Sequence, residues 1–194
     1  KRHAIKHDIQ HIGHDGGSMA YSQGGLLDAY FNSADGFIYF TYSHDFKELH
    51  IDKKPKKSWG TAVARGKLKN NEIINLEVLL IAKPKLSTNK HFGSRISIKD
   101  GMLFAGFGER DQGMIAQDPT KHPGSIIRIK TNGSIPKDNP KFNNKETWLP
   151  EIYTIGVRNP QGMTISPHDG EVYFSNHGPR GGDHIGKVNA GANY

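Results

Sequence analysis

The chain has 194 residues, enough for one domain or part of one with a sizeable core. Its 23 glycines, 10 prolines and 35% apolar content describe a loop-rich, β-type chain, and no apolar run is long enough to cross a membrane. Without cysteine it forms no disulfide and offers no thiolate to a metal, while a net charge of +7 leaves nucleic acid, an anionic cofactor or no specific partner open.

Residues 1–22 carry His3, His7, His11 and His14 at spacings that suit one helical face. The segment has no apolar helical period and runs into Gly16-Gly17, so a frayed end or edge strand is expected rather than a metal site. Strands are then expected at about 26–30, 37–42, 59–67 and 73–82. Lys53-Lys54-Pro55-Lys56-Lys57 reads as a solvated hairpin tip in preference to a nuclear address. A second unit starts at His91, with strands at 95–98, 102–107 and 126–130. Residues 109–123 make a long charged insertion with no regular structure of their own, the kind of loop that tends to be functional or mobile. After a Pro/Asn/Lys loop at 136–144, residues 148–157 lead into a third unit with strands at 163–165 and 171–174. Aromatic residues fall beside aliphatic ones within these strands and are not interleaved with arginine, which argues against a base-stacking surface and against nucleic acid as a partner.

The units repeat. Asp-Gly followed by an apolar-aromatic run occurs at Asp35-Gly36, Asp100-Gly101 and Asp169-Gly170, so the landmarks lie 65 and 69 residues apart. Asp-Gly between β-formers is a hairpin signal, because the pair tolerates the positive φ of a tight turn. A polar residue close to glycine opens the preceding strand each time, at Gln23, His91 and Asn159, at 68-residue intervals. The period fits a four-stranded blade with long loops, and radial repetition of such blades is a β-propeller. The expected fold is therefore all-β, a propeller of which the chain holds about three blades. Three blades do not close a ring and the chain opens on Lys1, so a partial propeller over 1–194, truncated at both ends, is expected.

Equivalent positions of successive blades share one face around a propeller axis. Gln23, His91 and Arg158-Asn159 at strand starts, with Glu109 and His177-Gly178-Pro179 at strand ends, would then meet at one mouth. A histidine beside a carboxylate can act as a general base whose cation the carboxylate stabilises. His91 reads equally well as a hydrogen-bonded loop histidine, and Glu109 as a surface partner of Arg110. His177-Gly178-Pro179-Arg180-Gly181-Gly182-Asp183 is either a tight turn or a loop whose carbonyls face a hard cation such as calcium. Gly106-Phe107-Gly108 is no dinucleotide loop, because Asp111 stands where the third glycine belongs and no βαβ unit surrounds it.

Several motifs together resemble the pyrroloquinoline quinone-dependent soluble glucose and aldose sugar dehydrogenases, and lie nearer the aldose sugar branch. They are Gln23-Gly24-Gly25-Leu26-Leu27-Asp28, His91-x-Gly93-Ser94-Arg95, Gly108-Glu109-Arg110, Ala116-Gln117-Asp118, Gly133-Ser134-Ile135-Pro136, Gly156 to Gly162 and His177 to Asp183. The resemblance implies a six-bladed propeller that holds the quinone on its axial face, in a periplasmic or secreted protein. It implies that His91 is the base that takes the proton of the anomeric hydroxyl as hydride passes to the quinone, with Glu109 assisting. Gln23 matches a residue of the sugar and quinone site, Arg158, Asn159 and His177 match cofactor contacts, and Gly178 and Pro179 match carbonyl ligands of a Ca2+ that polarises the quinone. An aldose sugar and an external electron acceptor follow as partners. A different class of function, a propeller that uses its mouth only to bind a ligand or protein, would not need His91 and Glu109 together with Gln23. A basic nucleic-acid binder rests on net charge alone.

Overall fold

The computed structural model describes residues 23–47, 57–70, 72–140 and 148–194. The expectations for His3, His7, His11 and His14, for the lysine-rich tip before residue 57 and for residues 141–144 of the 136–144 loop lie outside the described residues.

Eleven strands are described, in three antiparallel meanders. The first sheet runs β1 (Leu26–Asn32), β2 (Phe37–Lys47), β3 (Lys57–Lys69) and β4 (Glu72–Ile81) in spatial order. The second runs β5 (Gly93–Lys99), β6 (Met102–Phe107), β7 (Ser125–Lys130) and β8 (Ile152–Ile155), and the third β9 (Pro160–Ile165), β10 (Val172–Asn176) and β11 (His184–Lys187). Each strand pairs with its sequence neighbour, which makes each sheet a blade. The first strands lie side by side, β5 against β1 and β9 against β5, so the three blades are arrayed around a common edge.

Local chemistry sets the hairpins. Gly36, Gly101 and Gly170 take φ of +72°, +73° and +70° at the three Asp-Gly turns. In the first and third blades the aspartate does the same two jobs. Asp35 Oδ1 accepts the Phe37 N–H at 3.0 Å and Oδ2 the Tyr39 hydroxyl at 2.7 Å; Asp169 accepts the Glu171 N–H at 3.1 Å and the Tyr173 hydroxyl at 3.0 Å. In the second blade Phe104 stands where those tyrosines stand, and has no hydroxyl to offer.

Blades pack face to face. Along β6 the alternation of a strand sends Leu103, Ala105 and Phe107 into the core shared with the first blade, among Tyr39, Val63 and Ile127, and Phe104 into the core shared with Val172 and Phe174 of the third. A strand covered on both faces reads as a continuous apolar run, as Met102–Phe107 does. Gly106 lets the second and third blades approach, since a Cβ there would sit 2.7 Å from the Pro160 ring.

Three expectations change. Residues 148–157 do not open the third unit: Ile152–Ile155 pair with β7 as the fourth strand of the second blade, with Ile152 and Ile155 buried in its core. The fourth strand is short and lies 22 residues beyond the end of β7, so neither length nor proximity marks it. The 109–123 insertion holds a 3-10 helix over Gly113–Gln117. The third blade gains β11, a polar strand with Ile185 78% exposed, which shows no alternation in the sequence.

Candidate active site

In a meander, the chain entering the first strand and the chain leaving the second lie at the same rim. Gln23 precedes β1, His91 precedes β5 and Arg158-Asn159 precede β9, while Glu109 follows β6 and His177 follows β10. With the first strands adjacent, all of these residues come to one rim, as the repeat implied.

The centre is a buried pair. His91 Nδ1 lies 2.7 Å from Glu109 Oε1, with the two side chains 10% and 5% exposed. The other carboxylate oxygen of Glu109 accepts the Gln112 N–H at 2.6 Å and the Gly113 N–H at 3.2 Å. An ionised carboxylate only accepts, so Nδ1 carries the proton and donates it to Glu109. Arg158 Nη2 lies 3.3 Å from His91 Nε2 and can only donate, which leaves Nε2 with the lone pair. The tautomer thus presents Nε2 as the basic atom. Glu109 does not pair with Arg110 on the surface, since both are buried.

Neighbouring blades hold the loop that carries His91. Gln23 Oε1 accepts the His91 N–H at 2.7 Å from the first blade, and Asn159 Oδ1 accepts the Gly93 N–H at 3.0 Å from the third. His91 and Ser94 take φ of +50° and +88°, unusual for residues other than glycine. Gly108 makes room for this loop, because a Cβ there would collide with the His91 carbonyl. Gln23 and Asn159 therefore act on the backbone of the base as well as standing at the mouth.

Arg158 ties the site together. It lies 3.7 Å from Glu109 through Nε and donates from Nη1 to the carbonyls of His177 and Gly178, both at 3.2 Å. The 177–183 loop closes on itself: Asp183 accepts the Gly178 N–H at 3.0 Å and lies 3.3 Å from His177 Nδ1, and Pro179 O accepts the Gly182 N–H at 3.2 Å. Pro179 is the one expected site residue bonded only within its own turn among the contacts described. Beside the dyad lies a cleft of about 350 Å3 lined by Gln23, Leu26, Leu27, Phe92, Gly93, Arg95, Asn159, Gln161 and His177. His91 flanks this cleft, with the next two residues in its wall.

Sequence reasoning missed three participants. Gln161 donates to Asn159 Oδ1 at 2.9 Å, and Asn176 Oδ1 accepts the Asn159 N–H at 2.8 Å. Asn176 stands next to His177 and Gln161 two residues after Asn159, and a polar side chain at the rim end of a strand was the available signal. Asp111 is the third; with His91 and Glu109 it places three possible ligand atoms within 4.8 Å of one another. In this structure Nδ1 is committed to Glu109, and Asp111 lies 3.5 Å from Lys90, so the trio works as a dyad with an ion pair beside it.

Blades of antiparallel meanders, two with four strands and one with three among the described residues, carrying a histidine–carboxylate pair at the axial rim define the class as a β-propeller with an enzyme-like mouth. Residues 4–194 match the Glucose / Sorbosone dehydrogenase family, and the chain belongs to that family. It is 38% identical over 183 residues to aldose sugar dehydrogenase YliI of Escherichia coli K12, covering 90% of this chain and 46% of that protein. It is 40% identical over 83 residues to quinoprotein glucose dehydrogenase B of Acinetobacter calcoaceticus, which covers 43% of this chain and 16% of that one. The apo crystal structure of the soluble aldose sugar dehydrogenase of E. coli superposes with a TM-score of 0.78 at 37% identity, over 90% of this chain and 50% of that one. The PQQ-bound aldose sugar dehydrogenase of Streptomyces coelicolor shares the fold, with a TM-score of 0.69 at 21% identity over 89% and 48% of the two chains. The chain spans about half the length of the first curated relatives it matches. Among the described residues no helix is long and apolar enough to cross a membrane.

Proposed function

We propose that this chain carries the base-bearing half of a quinoprotein that oxidises the anomeric hydroxyl of aldose sugars to lactones. The observation that supports it is the buried 2.7 Å His91–Glu109 pair, with Nε2 left basic at the mouth of the blades. Oxidation removes a proton from the anomeric oxygen and a hydride from C1, and leaves the lactone carbonyl. His91 Nε2 takes the proton. Glu109 stabilises the imidazolium and holds the ring, which is the arrangement general-base catalysis needs. Gln23 fixes the His91 backbone and lines the cleft where the sugar would lie.

The cleft fits a planar, polyanionic quinone. Leu26, Leu27 and Phe92 offer apolar surface, Arg95, Gln161 and His177 offer polar groups, and Arg158 stands against His177. Arg158, Asn159, His177, Gln23 and His91 are the residues that would hold pyrroloquinoline quinone. When bound, it supplies the two-electron acceptor that no side chain here can replace. The carbonyl oxygens of Gly178 and Pro179 each accept one hydrogen bond and keep a second lone pair, so they can contribute to a Ca2+ shell completed by other oxygens. Reoxidation calls for an external electron acceptor, and we place the enzyme in the periplasm or outside the cell by analogy with the family. Further blades would complete the ring and the cofactor site, since the chain covers 46% to 50% of the aldose sugar dehydrogenase of E. coli.

The test is dye-linked oxidation of a panel of aldoses by the full-length protein, with and without added pyrroloquinoline quinone and Ca2+. Activity that requires both is expected. No oxidation of any sugar, with no quinone bound, would favour a propeller that only binds a ligand or protein.

A further inference from the structure

Arg110 is 2% exposed, and a buried guanidinium needs partners for its donors. Nε donates to the Lys90 carbonyl at 3.0 Å, Nη1 to the Trp59 carbonyl at 2.8 Å and Nη2 to the Thr88 carbonyl. The guanidinium carbon lies 3.6 Å over the Phe92 ring. The backbone joins in: the Arg110 N–H donates to the His91 carbonyl at 3.3 Å, and Thr88 Oγ1 donates to the Arg110 carbonyl at 2.6 Å. Residues 88, 90, 91 and 92 are thus all in contact with this one residue. Trp59 adds an anchor on β3 of the first blade, where its own N–H and carbonyl pair with Leu86.

This loop does not hold its shape unaided. His91 and Ser94 have left-handed φ, and so do Arg110 and Asp111, both at +59°. Such conformations persist only where surrounding contacts over-determine them. The turn at 109–111 sends two adjacent side chains to different targets, Glu109 to the imidazole and Arg110 to the carbonyls of the loop bearing it. We propose that Arg110 is a positioning residue, whose planar fork fastens loop 88–92 so that His91 meets Glu109 at hydrogen-bond distance. The inference rests on the reading of His91 as the base. Lysine cannot take over, because one ammonium cannot serve three carbonyls in the guanidinium plane and stack on Phe92.

The experiment compares Arg110→Lys, Arg110→Ala, Thr88→Val and His91→Gln in the full-length protein, reading the thermal midpoint, quinone binding, kcat and KM, and the NMR resonances of the His91 ring. Arg110→Lys is expected to bind quinone and lose on the order of 100-fold in kcat with KM for the sugar little changed, the penalty of about 1 Å of misplacement. Its His91 Nδ1–H resonance should shift or vanish, and added guanidinium, unlike ammonium, should restore part of the turnover of Arg110→Ala. Wild-type kcat with an unshifted His91 ring in Arg110→Lys, while His91→Gln is dead, overturns the positioning role. If Arg110→Lys does not fold, Thr88→Val decides: a smaller loss confined to kcat supports the role and an unchanged kcat overturns it. If His91→Gln turns over normally, the base assignment fails, and an unshifted His91 ring in Arg110→Lys then overturns the positioning role on its own.

Discussion

Glu109→Gln changes one atom of the dyad and keeps its shape. In the wild type one carboxylate oxygen accepts two backbone N–H groups, from Gln112 at 2.6 Å and Gly113 at 3.2 Å, and the other faces His91 Nδ1 at 2.7 Å. A glutamine must keep its carbonyl on the two N–H donors, so its amide N–H2 faces Nδ1. That forces the imidazole proton onto Nε2, the atom proposed to accept the proton from the sugar. Two estimates of the loss agree. A charge pair about 4 Å apart at an effective dielectric constant of about 20 contributes roughly 4 kcal/mol to the imidazolium, equivalent to about 10³ in rate. Amidating the acid of a serine-protease triad, which reverses the tautomer in the same way, lowers kcat about 10⁴-fold. The expected outcome is a kcat lowered by about 10³ to 10⁴ with quinone still bound and the fold intact, measured by dye-linked turnover at saturating sugar. A Glu109→Gln protein within about threefold of wild-type kcat would refute both the tautomer and the role of the pair.

Gln23→Ala leaves the His91 N–H without its acceptor and should cost about 1 kcal/mol in urea unfolding, with kcat falling further than the stability loss alone explains. Gly108→Ala drives a methyl into the His91 carbonyl and should destabilise by about 1–3 kcal/mol, with loss of turnover; unchanged unfolding would mean that the loop is looser than described. The pH dependence comes from the second histidine–carboxylate pair. His122 Nδ1 accepts the Lys83 N–H at 2.9 Å, so Nε2–H donates to Glu151 at 2.7 Å, and that bond holds the Glu151 carboxyl below its usual 4.5 despite burial. A depressed acid stabilises the fold above its unfolded value and loses that contribution as pH falls through the folded one. The thermal midpoint should therefore drop as pH goes below about 4.5, and Glu151→Gln should flatten that limb while leaving the neutral range to show only its constant cost.

The blades were legible because their chemistry is local. Asp-Gly turns set every first hairpin, and β6 announced its burial on both faces by an unbroken apolar run. β8 and β11 were not legible. One is separated from its partner by a long connection, and the other, His184–Lys187, has neither alternation nor burial to mark it. The site was legible in phase and not in contact. The 68-residue interval put Gln23, His91 and Asn159 at one rim, yet nothing in sequence said that the first and third would bond to the backbone around the second.

That bonding explains why the repeat and the site coincide. Gln23 reaches sideways from the first blade to the His91 N–H, Asn159 reaches back from the third blade to the Gly93 N–H, and Asp28 adds a further bond along β1 by accepting the Ile96 N–H at 2.8 Å. Across blades these bonds stand in for the main-chain ladder that stops at each sheet edge. A base placed at the middle of three such loops is braced from both sides and from below by Arg110. The left-handed φ of the base itself and of Ser94 can then be tolerated, and the imidazole stands in a fixed orientation at the mouth before any ligand arrives. The rigidity that general-base chemistry demands is supplied by the same contacts that join one blade to the next.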